Sequence, residues 1–172
     1  MEETFSMAVG DLVVRYGKIL KVFRIKKGTI GLQPFFHLQT SNGLTFTLMT
    51  AHAHDGHIRR LASKAKIEKL LNLIIKKPTT KNIDPDFDPK TALSDNKLAK
   101  TLFVIKTLWL EKQEKSGILP GTKSTVFRQA MIQATEEIAA VNQTSPEQVK
   151  LLILSGLKFS QKENLQKKKK LA

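Results

Sequence analysis

The chain has no cysteine among its 172 residues. That absence removes disulfide scaffolds, thiolate catalysis and cysteine-type zinc sites together, and a reducing, cytoplasmic compartment is expected. Aromatic residues are scarce at 6%, with a single tryptophan and a single tyrosine. No apolar run approaches the ~18 residues needed to cross a bilayer. The opening MEETFSMAVGD is acidic where a secretory signal would be basic and then apolar, so no membrane partner is expected. Neither a Walker loop, a dinucleotide fingerprint nor a nucleophile elbow occurs. A non-enzymatic protein without cofactor or metal is the expectation.

Carboxylates are also in short supply, 15 against 29 Lys and Arg, for a net charge of +14. The surplus is uneven: residues 1–77 carry +8, residues 78–157 only +1, and residues 158–172 carry +5. Charge of this kind attracts polyanions through phosphate neutralisation and counterion release. Hydrophobic content of 41% is that of an ordinary globular chain. The length suits one domain or two small ones.

The first 62 residues read as a sheet module. Leu12-Val13-Val14-Arg15 is broken by Tyr16-Gly17 before a second run, Lys18–Ile25, whose apolar candidates are Ile19, Val22 and Phe23. Phe35–Thr40 and Leu44–Met49 flank Ser41-Asn42-Gly43, an Asn-Gly turn of the kind that joins antiparallel strands. Together these predict a four-stranded antiparallel β-barrel of SH3 or Tudor type, which Ile58-Arg59-Arg60-Leu61 ends. Ser63 then caps a connecting helix over residues 63–77, whose stripe of Ile67, Leu70, Leu71 and Ile74 should dock on the barrel or on the next module.

Three prolines within residues 76–93 mark a linker, placed at 78–93, and a domain boundary. Beyond it, residues 94–160 predict an all-α bundle. Ser94 or Asp95 caps a first helix reaching Lys115, with Leu98, Leu102, Ile105 and Trp109 at helical spacing; a second comes after Thr122. The third opens on Ser145-Pro146-Glu147-Gln148, an N-cap, a first-turn proline and a capping-box partner in four residues. The Lys-rich tail, 161–172, has too little apolar content to join the bundle.

Two clusters resemble metal sites without completing one. His52, His54, Asp55 and His57 come after a strand as the first ligands of some metal hydrolases do, but the only other histidine is His37. Asp84, Asp86 and Asp88 alternate like the start of a calcium loop, yet Pro89 and Asp95 stand where glycine and glutamate are needed. A polar turn and an acidic linker are the expected readings.

The segments VGDLVV and the adjoining YG, GLTFTLMTAHAHDGHIRRL with its Gly56–Arg60 end, NKLAKTLFVIKTLW, and LPGTKSTVFRQAMIQATEEIA occur in an order and spacing that resembles the CarD/CdnL family of bacterial transcription regulators. The resemblance covers about residues 5–157 and rests on order and total length more than on any one motif. It implies a Tudor-like domain bound to the RNA polymerase β subunit, and a helical domain touching promoter DNA without sequence specificity at the upstream edge of the bubble. A monomer that stabilises the open complex is expected. By the same resemblance, polymerase contact falls to Arg24, Lys26, Lys27 and the Leu44, Phe46, Thr47, Leu48 strand, and DNA contact to Phe87, Lys90, Lys123 and Arg128. This sequence departs from the family twice: Phe87 stands near where the family has a minor-groove tryptophan, and Thr47 where many members carry a basic residue. The second reading is a general basic protein in which barrel and Lys167–Lys170 hold DNA or RNA directly, with no polymerase partner.

Overall fold

Tyr16 and Gly17 both adopt positive φ, 48° and 74°, the two-residue turn whose twist matches that of the strands it joins. They connect β1 (Leu12–Arg15) to β2 (Lys18–Lys26) as a hairpin. The computed structural model describes residues 7–26, 34–49, 58–76 and 87–171. Within these, β3 (Phe35–Gln39) pairs antiparallel with β2, and β4 (Thr45–Met49) with β3. Gly43, at φ +86°, makes the tight turn between β3 and β4, where the Thr40 N–H donates to the Leu44 carbonyl at 2.9 Å.

A fifth strand, β5 (Ile58–Arg60), returns to pair with β1, giving the order β4-β3-β2-β1-β5. The segment expected only to end the module is therefore part of its sheet. β4 and β5 are the two edges and do not pair with each other, so the described strands form an open sheet where a closed four-stranded barrel was expected. Alternation sets the inner face, apart from one slip on β2. Val13, Leu20, Val22, Phe36, Leu38, Leu48 and Ile58 gather with Met7 into one buried cluster on the inner face.

The chain divides into two compact units between Leu61 and Ala62. That division falls at the end of the sheet module, ahead of the Pro-rich stretch. The reason lies in α1 (Lys64–Leu70), capped by the Ser63 hydroxyl, and the π-helical turn Leu71–Lys76 that prolongs it. Their Ile67, Leu71 and Ile75 belong to the same core as the later helices. Lys106, itself buried, donates its ammonium to the Ile74 carbonyl at 2.6 Å and so satisfies the irregular turn from within the unit.

α2 (Pro89–Ser94) occupies the end of the expected linker, capped by Asp88 with Pro89 in its first turn. α3 (Leu98–Glu114) starts later than Ser94 or Asp95 would allow, because Asp95 closes α2 and pairs with Lys100. α4 runs Gly121–Asn142 and α5 Pro146–Leu171. The capping box at α5 forms as expected: the Gln148 N–H donates to the Ser145 hydroxyl, and the Ser145 N–H to the Gln148 side chain, each at 3.2 Å. α5 continues through the tail expected to stand outside the bundle, since Lys, Gln, Glu and Leu are all good helix formers. Leu102, Ile105, Leu108 and Trp109 of α3 pack with Ala130, Ala134 and Ile138 of α4 and Val149, Ile153 and Leu157 of α5. The architecture is thus mixed, a five-stranded antiparallel sheet with helices after it.

Candidate functional site

On β2 the alternation slips once. Val22 pairs with Leu38 and both are buried, yet the next matched pair is Arg24 with His37, so Phe23 is an extra residue in the ladder. Such a bulge turns two consecutive side chains to the same side. Phe23, named from sequence as an apolar strand residue, alternates with Leu20 and Val22 onto the outer face, where it is 39% exposed, and the bulge turns Arg24 to the same side. Its ring lies 5.9 Å from that of His37, tilted by 52°. His37 in turn is within 3.3 Å of the Thr47 hydroxyl across β3 and β4.

Three cross-strand ranks cross this face: Lys21 with Gln39 and Thr45, Arg24 with His37 and Thr47, Lys26 with Phe35 and Met49. Lys21, Arg24 and Lys26 are exposed, and no ion pair among the described residues holds them. The strands β2, β3 and β4 contain no carboxylate. The face is cationic and carries rings.

A strand arriving from a partner would meet a different set of groups. β4 is an edge, and beyond it no described strand pairs. Thr45, Phe46 and Thr47 are exposed on it, and Leu44 just before it is 56% exposed. Leu48, expected among the contact residues, has its side chain in the sheet's core; alternation turns it inward, and only its backbone can face a partner. Phe46 also faces inward, opposite Leu38, but remains 38% exposed because nothing described covers that rim. Lys27 lies outside the described residues.

In the helical unit the four expected DNA contacts are differently placed. Phe87, half-buried, packs on the core and meets the ring of Phe103 edge-on, with centroids 5.0 Å apart at 87°. Phe103 is 41% exposed, so the pair forms an aromatic step at the surface. Lys90 is exposed in the first turn of α2, beside Asp88, whose carboxylate accepts from the Thr91 hydroxyl and from the Thr91 and Lys90 N–H groups. These bonds, the Thr91 hydroxyl first, hold the Asp88 carboxyl below its ordinary range. Arg128 is exposed on α4.

Lys123 is engaged internally. Its ammonium donates to both oxygens of Glu111, at 2.9 and 2.7 Å, while Lys115 donates to the same carboxylate at 2.7 Å. The two cations, Lys115 foremost, hold Glu111 below its ordinary range, and a phosphate at Lys123 would have to compete with that carboxylate. This clasp ties the end of α3 to the start of α4. Sequence reading had no means to find it, because Glu111 and Lys123 are joined across a helix connection and share no helical repeat.

His52, His54, Asp55 and His57 lie outside the described residues, as do Asp84 and Asp86. Among the described residues no group of three or more His, Cys, Asp or Glu could hold a metal ion. No helix among them is long and apolar enough to cross a membrane. The chain matches no protein-family model and no curated protein.

Proposed function

We propose that this protein is a non-enzymatic, cytoplasmic transcription regulator of the CarD/CdnL type. It binds the β subunit of bacterial RNA polymerase through its sheet unit and touches promoter DNA through its helical unit. The observation that carries the reading is the uncovered edge of β4, with the exposed cations Arg24 and Lys26 two strands away on β2 of the same sheet. An edge strand offers its N–H and C=O groups to a partner strand, and cations on the same sheet select an acidic one.

Two further features support it. The strand order β4-β3-β2-β1-β5 leaves β4 and β5 as the edges that a strongly bent sheet would bring together, as in a small Tudor-like barrel. In the helical unit, the surface step of Phe87 and Phe103, with the exposed Lys90 three residues after Phe87 in the chain, combines an apolar wedge with a phosphate-binding cation.

The test is binding of the full chain to a fragment of the bacterial β subunit carrying its outer lobe, by titration calorimetry. Wild type should bind, and Arg24→Glu should bind at least tenfold more weakly while its circular dichroism is unchanged. Absence of wild-type binding sinks the reading.

A further inference from the structure

Polymerase contact accounts for the edge of β4 and for the charge on the outer face, but not for the rings there: alternation with Leu20 and Val22 sets Phe23 on that face, and the bulge after it adds Arg24 to the same side. Exposing Phe23 gives up the burial of an aromatic side chain, which is among the larger apolar gains available to a small sheet. The structure uses that ring to stand over His37 with Arg24 at its side. Phe35 is half-buried one rank away, with Lys26 beside it.

We propose that the outer face of β2 and β3 binds single-stranded nucleic acid. Successive ranks of outward residues on a strand are about 6.6 Å apart. A stacked strand rises only ~3.4 Å per nucleotide, so the spacing fits a strand whose bases have come apart. One base then lies on the Phe23 and His37 rings and the next on Phe35, while Lys21, Arg24 and Lys26 track the phosphates. Aromatic platforms combined with a cationic track are the general means of holding single strands, because every base has a π-face whatever its identity. Duplex DNA keeps those faces stacked inside and would meet only the charges. An acidic protein would also find the cations, but the row of rings gives it nothing that a row of aliphatic side chains would not.

This inference goes beyond the polymerase reading and does not depend on it. Arg24 and Lys26 serve both, so an oligonucleotide and the β-subunit fragment should compete.

The experiment is fluorescence anisotropy of a labelled octamer of uridylate, and of a duplex of equal length, titrated with the full chain across salt. The background carries Lys167, Lys168, Lys169 and Lys170→Gln, which keeps good helix formers in α5 while removing the tail's charge. The octamer should bind more tightly than the duplex. Phe23→Ala should weaken it about tenfold with the salt slope unchanged, as loss of one stacking contact requires. Phe23→Leu, which keeps the apolar bulk, should weaken it similarly and guards against a folding defect. Lys21, Arg24 and Lys26→Gln together should flatten the salt slope. The proposal is overturned if both Phe23 variants bind the octamer as wild type does, or if the duplex binds as tightly as the octamer. It is equally overturned if Phe23→Ala spares the octamer but loses the β-subunit fragment, for the ring then belongs to the protein interface.

Discussion

Phe87 has two partners to choose between. Its ring already meets Phe103 edge-on and rests against the helical core, a pairing worth about 0.5–1.5 kcal/mol beyond the area it buries. Half-exposed as it is, it is also the wedge of the proposed DNA contact. Phe87→Ala should therefore shorten the lifetime of a promoter open complex while leaving β-subunit binding intact, with a small loss of thermal stability. Equal lifetimes for mutant and wild type would assign Phe87 to packing alone. Residue by residue, the sequence announced what depends on near neighbours. Trp109 fell on the buried face because its spacing to Leu102 and Ile105 set it there. Alternation with Leu20 and Val22 is enough to put Phe23 on the outer face; the placement of Arg24 beside it was illegible, since a bulge is fixed by how two strands register and leaves no local mark. Lys123 was misleading for a related reason: its carboxylate partner belongs to another helix.

Elements were legible in proportion to how local their signals are. The turn at Asn42-Gly43 and the start of α5 were both readable, because turn chemistry and capping are settled within four or five residues. β5 was not seen as a strand, since three residues of which two are arginine carry no alternation to detect. The π-helical turn could not be foreseen either, for Leu71–Lys76 has the apolar spacing of an ordinary helix. The capping box offers a direct check at this scale. Ser145→Ala removes the acceptor of the Gln148 N–H and should cost about 1 kcal/mol. Because Val149, Ile153 and Leu157 of α5 are part of the core, that loss should appear as lower stability of the whole helical unit. Chemical denaturation of Ser145→Ala against wild type measures it; an unchanged midpoint would mean that packing alone sets the start of α5.

For the molecule as a whole, acid should be destabilising through a small set of carboxylates. Asp88, Asp95 and Glu111 are all held below their ordinary values, by Thr91, Lys100 and the Lys115–Lys123 pair respectively. A depressed folded value means that the stabilising contribution is present above the ordinary value, 3.8 for Asp and 4.5 for Glu, and is lost as pH falls through the folded one. Melting temperature should fall below about pH 4.5, and Glu111→Gln should melt lower at neutral pH with a shallower decline on acidification. A parallel decline in wild type and variant would remove Glu111 from that account. The edge of β4 has a different consequence for the free protein. Leu44, Phe46 and Met49 are all exposed along it, and its strand carries threonines where many sheet edges carry lysine or proline as a guard. What keeps one copy's edge from seeding growth on another is then the long-range repulsion of a +14 chain. That protection is colloidal, so concentrated salt, which shields it, should leave the isolated protein less soluble, and a bound partner strand should restore it.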